Sequence, residues 1–233
     1  MKIIILAAGM GRRLGNRTGP KPLTILCNNK SILEMQIDFL SAHYGRQNIV
    51  VVVGYKKEEI LNKFPDLSYV ENPAYEKENT SKSLLRALYF IEDEDVLWIN
   101  GDVVFHPDIL LKIDACKKSS TVVNKGPVGE EEVKYTCRPD GSLLKISKQI
   151  SHAEGESLGI NFFYLKDLPI LIENLQKCKD SDYFEKAIQL SIDAGTEIRP
   201  IVVDKTECVE VDFPKDLNRA NELLLLWNKG QVR

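Results

Sequence analysis

Paired cysteines are missing. The five cysteines (Cys27, Cys116, Cys137, Cys178 and Cys208) are odd in number, and the nearest two stand 21 positions apart. No C-x-x-C occurs, which argues against a structural zinc site or a disulfide framework; reduced thiols in a cytoplasmic protein fit better. The three histidines (His43, His106, His152) have no partner at metal-ligand spacing. Long apolar runs are missing too: none approaches the ~18 residues of a membrane span, so no membrane insertion is expected. Met1 to Gly9 is apolar but short, and it runs straight into glycines and arginines, so it reads as a strand and not a signal peptide. A cationic excess is also lacking. Lys plus Arg number 31 against 34 Asp plus Glu, a net charge of −3, which leaves nothing to grip a nucleic-acid backbone non-specifically. There is no internal repeat and no Ser/Gly-rich linker.

What is present is ordinary for a globular chain: 233 residues, 43% hydrophobic and 28% charged. Ile3 to Ala7 is a β-branched apolar run, the pattern of a strand buried on both faces. Ser31 followed by Glu34 predicts a capped helix ending near Gly45. Strands are predicted over 48–53, 67–71 and 95–99, and helices over 56–64, 81–91 and from Pro107 to Cys116. Strand and helix alternate, so the class is α/β with a mixed, mainly parallel central sheet and helices on both faces. Past Ser119 the pattern shifts to short strands at 121–124, 132–137, 143–147 and 157–165. Pro139-Asp140-Gly141 reads as a hairpin turn. Helices at 168–177 and 183–193, strands at 198–203 and 207–211, and a last helix from Pro214 to Trp227 complete the reading.

Open α/β sheets bind ligands beyond the carboxyl ends of their strands. The segment there after the first strand is Ala8-Gly9-Met10-Gly11-Arg12-Arg13-Leu14-Gly15, continuing to Pro20-Lys21-Pro22-Leu23. Small residues at Ala8, Gly9 and Gly11 let backbone N–H groups approach phosphate oxygens, and Arg13 and Lys21 add positive charge. Leu14 stands where a dinucleotide fingerprint needs its third glycine, which argues against a nicotinamide-dependent oxidoreductase. The Gly-Lys-Ser/Thr of a Walker A loop is absent.

Leu6-Ala7-Ala8-Gly9-x-Gly11-x-Arg13 with Pro20-Lys21-x-Leu23 resembles the signature of the nucleotidyltransferases that make NDP-sugars and CDP-alcohols. The similarity continues through Val52-Val53-Gly54-Tyr55, Asn79-Thr80 with Ser83-Leu84, Asn100-Gly101-Asp102-Val103-Val104-Phe105, Glu156 to Phe163, and Val209-Glu210-Val211-Asp212-x-Pro214-x-Asp216-Leu217. It spans nearly the whole chain and is nearest the phosphocholine cytidylyltransferase branch.

That resemblance implies a Rossmann-like, nucleotide-diphospho-sugar transferase-like fold in one domain, 1–233. Residues 1–118 would form the NTP-binding half and 119–233 the acceptor-binding half. The implied reaction joins CMP from CTP to a small phosphorylated alcohol or phosphonate with release of pyrophosphate. Another pyrimidine NTP, as in a sugar-1-phosphate uridylyl- or thymidylyltransferase, is the alternative, and a non-catalytic nucleotide-binding regulator is a second one. The nucleophile of such a reaction is already an anion, so charge neutralisation and positioning carry the chemistry. The resemblance implies Arg13 and Lys21 as the catalytic cations and Asp102 and Asp212 as ligands of one Mg²⁺. Nucleotide contacts would come from Leu6, Ala7, Ala8, Gly9, Gly11, Asn79, Thr80, Ser83 and Gly101. Acceptor contacts would come from Lys148 and Glu156. Homodimer formation is compatible with it. As plain residues, Asp102 could be a turn residue and Asp212 a helix cap, while Asp216 reads as a first-turn helix charge. Lys148 could be a solvated lysine. Tyr75, Phe105, Phe162, Phe163, Tyr164 and Tyr183 are the aromatics available to a quaternary ammonium.

Overall fold

The computed structural model describes residues 1–14 and 19–229. Part of the glycine-arginine loop, residues 15–18, therefore lies outside the described residues. The strands are β1 (Lys2–Ala7), β2 (Ile49–Val53), β3 (Ser68–Glu71), β4 (Val96–Asn100), β5 (Val103–Phe105), β6 (Ser120–Lys125), β7 (Lys134–Cys137), β8 (Leu143–Ser147), β9 (Gly155–Phe163), β10 (Arg199–Val202) and β11 (Cys208–Glu210). The helices are α1 (Ile32–Tyr44), α2 (Lys57–Lys63), α3 (Thr80–Leu88), α4 (Asp108–Asp114), α5 (Leu168–Lys177), α6 (Phe184–Asp193) and α7 (Pro214–Asn228).

One sheet runs through both halves of the chain in the order β10-β6-β9-β4-β1-β2-β3, with β7 and β8 attached beside β9. β1 pairs in parallel with β2 on one side and β4 on the other. β9 is antiparallel to β4 and to β6, so the sheet is mixed with a parallel first part. β5 and β11 form a separate antiparallel pair.

Alternation along β1 builds both faces of the core. Ile3, Ile5 and Ala7 join Leu33 and Ile37 of α1 and Ile109 and Ile113 of α4. Ile4, Leu6 and Ala8 join Leu84 and Leu88 of α3, Trp98, and Phe184 and Ile188 of α6. A smaller cluster seats α7 through Ala220 and Leu224 against Ile32, Val104 and Leu14. Leu14, the residue standing where a dinucleotide loop needs glycine, is thus a core residue.

Local chemistry sets the helix ends. Ser31 Oγ accepts from the Glu34 amide at 3.2 Å, and Gly45, at φ +87°, ends α1. The Glu34 carboxylate also pairs with Lys63 at 2.8 Å. Gln36 of α1 is fully buried and spans the break between β4 and β5, its amide donating to the carbonyls of Asn100 at 2.9 Å and Val103 at 2.7 Å. No described helix is long and apolar enough to cross a membrane.

Candidate active site

β1 sits where the chain's connections leave in opposite directions, to β2 and to β4, and the crevice beyond its carboxyl end is the expected ligand position. A cavity of about 760 Å³ opens there. Its walls come from Leu6, Ala7, Gly9, Met10, Gly11 and Arg13, then Lys21 and Pro22, the start of α3, the Asn100-Gly101-Asp102 break, the segment 131–133, β9, the start of α6, and β11 with the start of α7.

Lys21 is at its floor. The side chain is nearly buried, and its Nζ lies 2.5 Å from Asp102 Oδ2 and 2.5 Å from Asp212 Oδ1. Residues 81 and 191 positions away in sequence thus close on one ammonium. Burial pulls the lysine's pKa down, but the two carboxylates outweigh it and hold the pKa above the usual value. Gly11 makes room for this lysine. It has φ +59°, and a Cβ there would come within 2.5 Å of Lys21 Cβ. Gly101 is similarly constrained, since a Cβ would meet the Leu6 carbonyl at 2.9 Å and Pro22 at 3.0 Å.

Two backbone bonds fix the acids. The Gly101 amide donates to the Leu6 carbonyl at 2.9 Å, and the Val211 amide donates to the Asp102 carbonyl at 3.0 Å. Asp216 accepts from the amides of Phe213 at 2.7 Å and Asp212 at 3.1 Å, which settles it as a helix-start carboxylate. Phe213, not Asp212, is the residue before the helix, so Asp212 is free to face the cavity. Arg13 is half-exposed above it, 3.3 Å from Asp212 Oδ2 and 3.6 Å from Glu131.

Leu6, Ala7, Gly9, Gly11, Asn79, Thr80 and Gly101 line the cavity with Arg13, Lys21, Asp102, Asp212, Lys148 and Glu156. Ala8 and Ser83 do not line it. Ala8 packs into the core, and its carbonyl accepts from the Tyr55 amide at 3.0 Å. Ser83 is buried on the far side of α3, where Asn72 donates to its hydroxyl at 3.0 Å. Asn79 and Thr80 form the start of α3; Thr80 Oγ1 accepts from the Phe184 amide at 3.1 Å, joining α3 to α6. Lys148 Nζ sits 4.8 Å over the Tyr183 ring and 3.9 Å from Glu131.

Several lining residues escaped the sequence reading. Glu210 accepts from Asn100 Nδ2 at 3.0 Å. Burial first, then repulsion from Asp102 and Asp212, lifts its carboxyl well above the usual range. Its signal was an acid inside the apolar strand Val209-Glu210-Val211. Glu185, 8% exposed in the first turn of α6, has its pKa pushed up to about 7 by burial. Asn124 comes from β6 and had no signal beyond a polar residue ending an apolar strand. Of the aromatics offered to a quaternary ammonium, Phe105, Phe162 and Phe163 are core, Tyr164 bonds the Cys116 carbonyl, Tyr75 stacks edge-on with Tyr55, and Tyr183 lines the cavity.

The fold is that of nucleotide-diphospho-sugar transferases. The chain superposes on the inositol-1-phosphate CTP transferase of T. maritima with a TM-score of 0.79, covering 100% of this chain and 98% of that one at 22% identity. In sequence it is 28% identical to the CMP-5'-(3-aminopropyl)phosphonate synthase of Streptomyces rubellomurinus over 95% of its own length, and it spans 38% of that relative. It is 27% identical to the UTP–glucose-1-phosphate uridylyltransferase AglF of Haloferax volcanii, over 96% of each chain. The profile of the MobA-like NTP transferase domain matches residues 3–133. With the loop, the sheet order and the cavity agreeing, the chain belongs to the family of MobA-like NTP transferase domains.

Proposed function

We propose that the protein is a Mg²⁺-dependent cytidylyltransferase that transfers CMP from CTP to a small phosphorylated alcohol or a phosphonate. One observation carries the reading: Lys21, on the loop leaving β1, is held 2.5 Å from both Asp102 and Asp212 in the cavity at the sheet's ligand edge. An acceptor phosphate or phosphonate oxygen forms a bond to the α-phosphorus. The bond from that phosphorus to the bridging oxygen breaks, and pyrophosphate leaves with the electron pair. No side-chain nucleophile is needed, because the attacking group is already an anion.

The donor set fits a divalent metal. Two carboxylates around one ammonium leave the floor with a negative excess that repels a triphosphate. In addition, Asp102 Oδ1 is buried without a hydrogen-bond partner. Oxygen ligands of this kind suit Mg²⁺, which Asp102 and Asp212 would hold. When bound, the ion would neutralise phosphate charge and orient the triphosphate. Arg13 and Lys21 bind the phosphates and stabilise charge as pyrophosphate departs. The backbone around Gly9, Gly11 and Gly101 packs against the nucleotide, Asn79 and Thr80 meet its base, and Lys148 meets the acceptor phosphate.

Cytosine is supported by similarity to a CMP-phosphonate synthase and to a CTP-transferase structure. The uridylyltransferase relative, aligned along nearly its full length, supports sugar-1-phosphate uridylyl transfer as the second reading. A matrix of NTPs against phospho-alcohols, phosphonates and sugar 1-phosphates, read by pyrophosphate release, decides between them. Release is expected with CTP and Mg²⁺ only when an acceptor is present. Asp102→Asn is expected to lose about 10²–10³ in kcat, the scale for removing a group that stabilises transition-state charge. Unchanged turnover in that variant would reject the metal assignment.

A further inference from the structure

Eight carboxyl groups line the cavity against five lysines and arginines, and burial pushes two of the eight, Glu210 and Glu185, toward the neutral form. Most are committed. Asp102 and Asp212 face Lys21, Asp216 holds the start of α7, Glu210 takes the Asn100 amide, and Glu131 lies near Arg13 and Lys148.

Glu156 differs. It stands on β9 in register with Asn124 of β6, so both side chains leave the same face of the sheet. Asn124 Nδ2 donates to Glu156 Oε2 at 3.0 Å. Asn124 is 4% exposed, lines the cavity, and its Oδ1 is buried with no hydrogen-bond partner. The carboxylate decides which way the amide points, since only the NH₂ end can donate to it, so the unpartnered atom is an acceptor. A carboxylate drawn out of water beside an unmatched carbonyl is built for a group with a positive charge and more than one N–H. The other charged groups near Glu156 do not supply such a group. Glu132 and Asp216 add negative charge, and Lys205, the cation on that side, directs its Nζ to the Pro127 carbonyl at 3.3 Å.

We propose that Asn124 and Glu156 receive a protonated primary amine, so the acceptor is an aminoalkyl phosphonate or phosphate; this rests on the nucleotidyltransferase reading above. A quaternary ammonium fits less well. It has no N–H for Asn124 Oδ1, and it needs bare aromatic faces. The aromatic rings among the lining residues, Tyr183 and Phe213, already carry Lys148 at 4.8 Å, and Arg13 at 5.8 Å with Lys215 at 5.6 Å. A sugar or polyol phosphate brings hydroxyls but no charge to offset Glu156.

The test uses the whole chain with CTP and Mg²⁺, comparing 2-aminoethylphosphonate with 2-hydroxyethylphosphonate, phosphoethanolamine with phosphocholine, and glucose 1-phosphate. The amines are expected to lead their partners by about ten- to a hundredfold in kcat/KM, the scale of a hydrogen-bonded charge. Glu156→Gln is expected to shrink the amine-to-hydroxyl ratio toward one. A wild-type protein that uses 2-hydroxyethylphosphonate or glucose 1-phosphate as well as the amine overturns the proposal while leaving nucleotidyl transfer intact. So does an unchanged ratio in a folded Glu156→Gln protein. Should no pair release pyrophosphate, the parent reading falls. Calorimetric titration of the two phosphonates into the wild-type protein then judges the amine subsite by itself, equal affinities rejecting it.

Discussion

Two lysines face the same cavity under opposite conditions. Lys21 is nearly buried and touches two carboxylates; Lys148 is 30% exposed, with an aromatic ring under it and its nearest carboxylate, Glu131, 3.9 Å away. The first is fixed by its surroundings and has its charge cancelled until other ions arrive. The second keeps both its charge and its reach. Under the proposed function, the buried cation would organise the reaction centre, whereas the half-solvated one would adapt to acceptors of different length.

The contrast can be broken at either end. Lys21→Met removes the ammonium held between Asp102 and Asp212, and kcat for pyrophosphate release is expected to fall by about 10²–10³. A loss confined to KM would place Lys21 among simple binding groups.

Glu185 sharpens the comparison on the Lys148 side. Its pKa of about 7 in the folded chain lies above the 4.5 of an ordinary glutamate, with Lys148 as the nearby cation that opposes the shift. The folded form therefore holds a proton through the window from 4.5 to about 7 that the unfolded chain has released, and stability from this group declines as pH rises through that window. Glu185→Gln should remove the decline and leave the variant more stable than wild type above neutrality, by on the order of 3 kcal/mol. Denaturant titrations at pH 5 and pH 8 check it; equal pH dependence in both proteins would show that the carboxyl is solvated.

The smallest effect is expected at Lys148. Lys148→Met should raise KM for the acceptor by about tenfold and change kcat little, the size of one charged hydrogen bond to a partly solvated group. An equal drop in kcat would move Lys148 to the reacting centre and erase the distinction from Lys21.

The parallel part of the fold was readable because its strands announce themselves. A run such as Ile3 to Ala7 can be buried on both faces only in a covered sheet, and the ligand edge follows from topology. The flanking helices were equally plain from Ser31, Pro107 and Pro214 at their starts, with ends shifting by a few residues. The meeting of Lys21 with Asp102 and Asp212 was not readable from spacing, since these residues lie far apart in sequence; it entered through resemblance. Ser83 shows the limit of that route. It falls one turn beyond Thr80, on the stripe of α3 that packs inward, where Asn72 engages it. Asn124 was invisible because nothing in one strand reveals its cross-strand partner, and β6 meets β9 only after the chain has turned back.

The frame under the cavity is stitched by main-chain amides. Gly101 is tied to Leu6 and Val211 to Asp102, so three distant stretches of polypeptide are aligned without any side chain's help. Replacing wall residues such as Asn124, Glu156 or Tyr183 leaves those seams untouched. Point changes around the rim can therefore alter the shape and charge of the walls while the alignment of Lys21, Asp102 and Asp212 stays as it is.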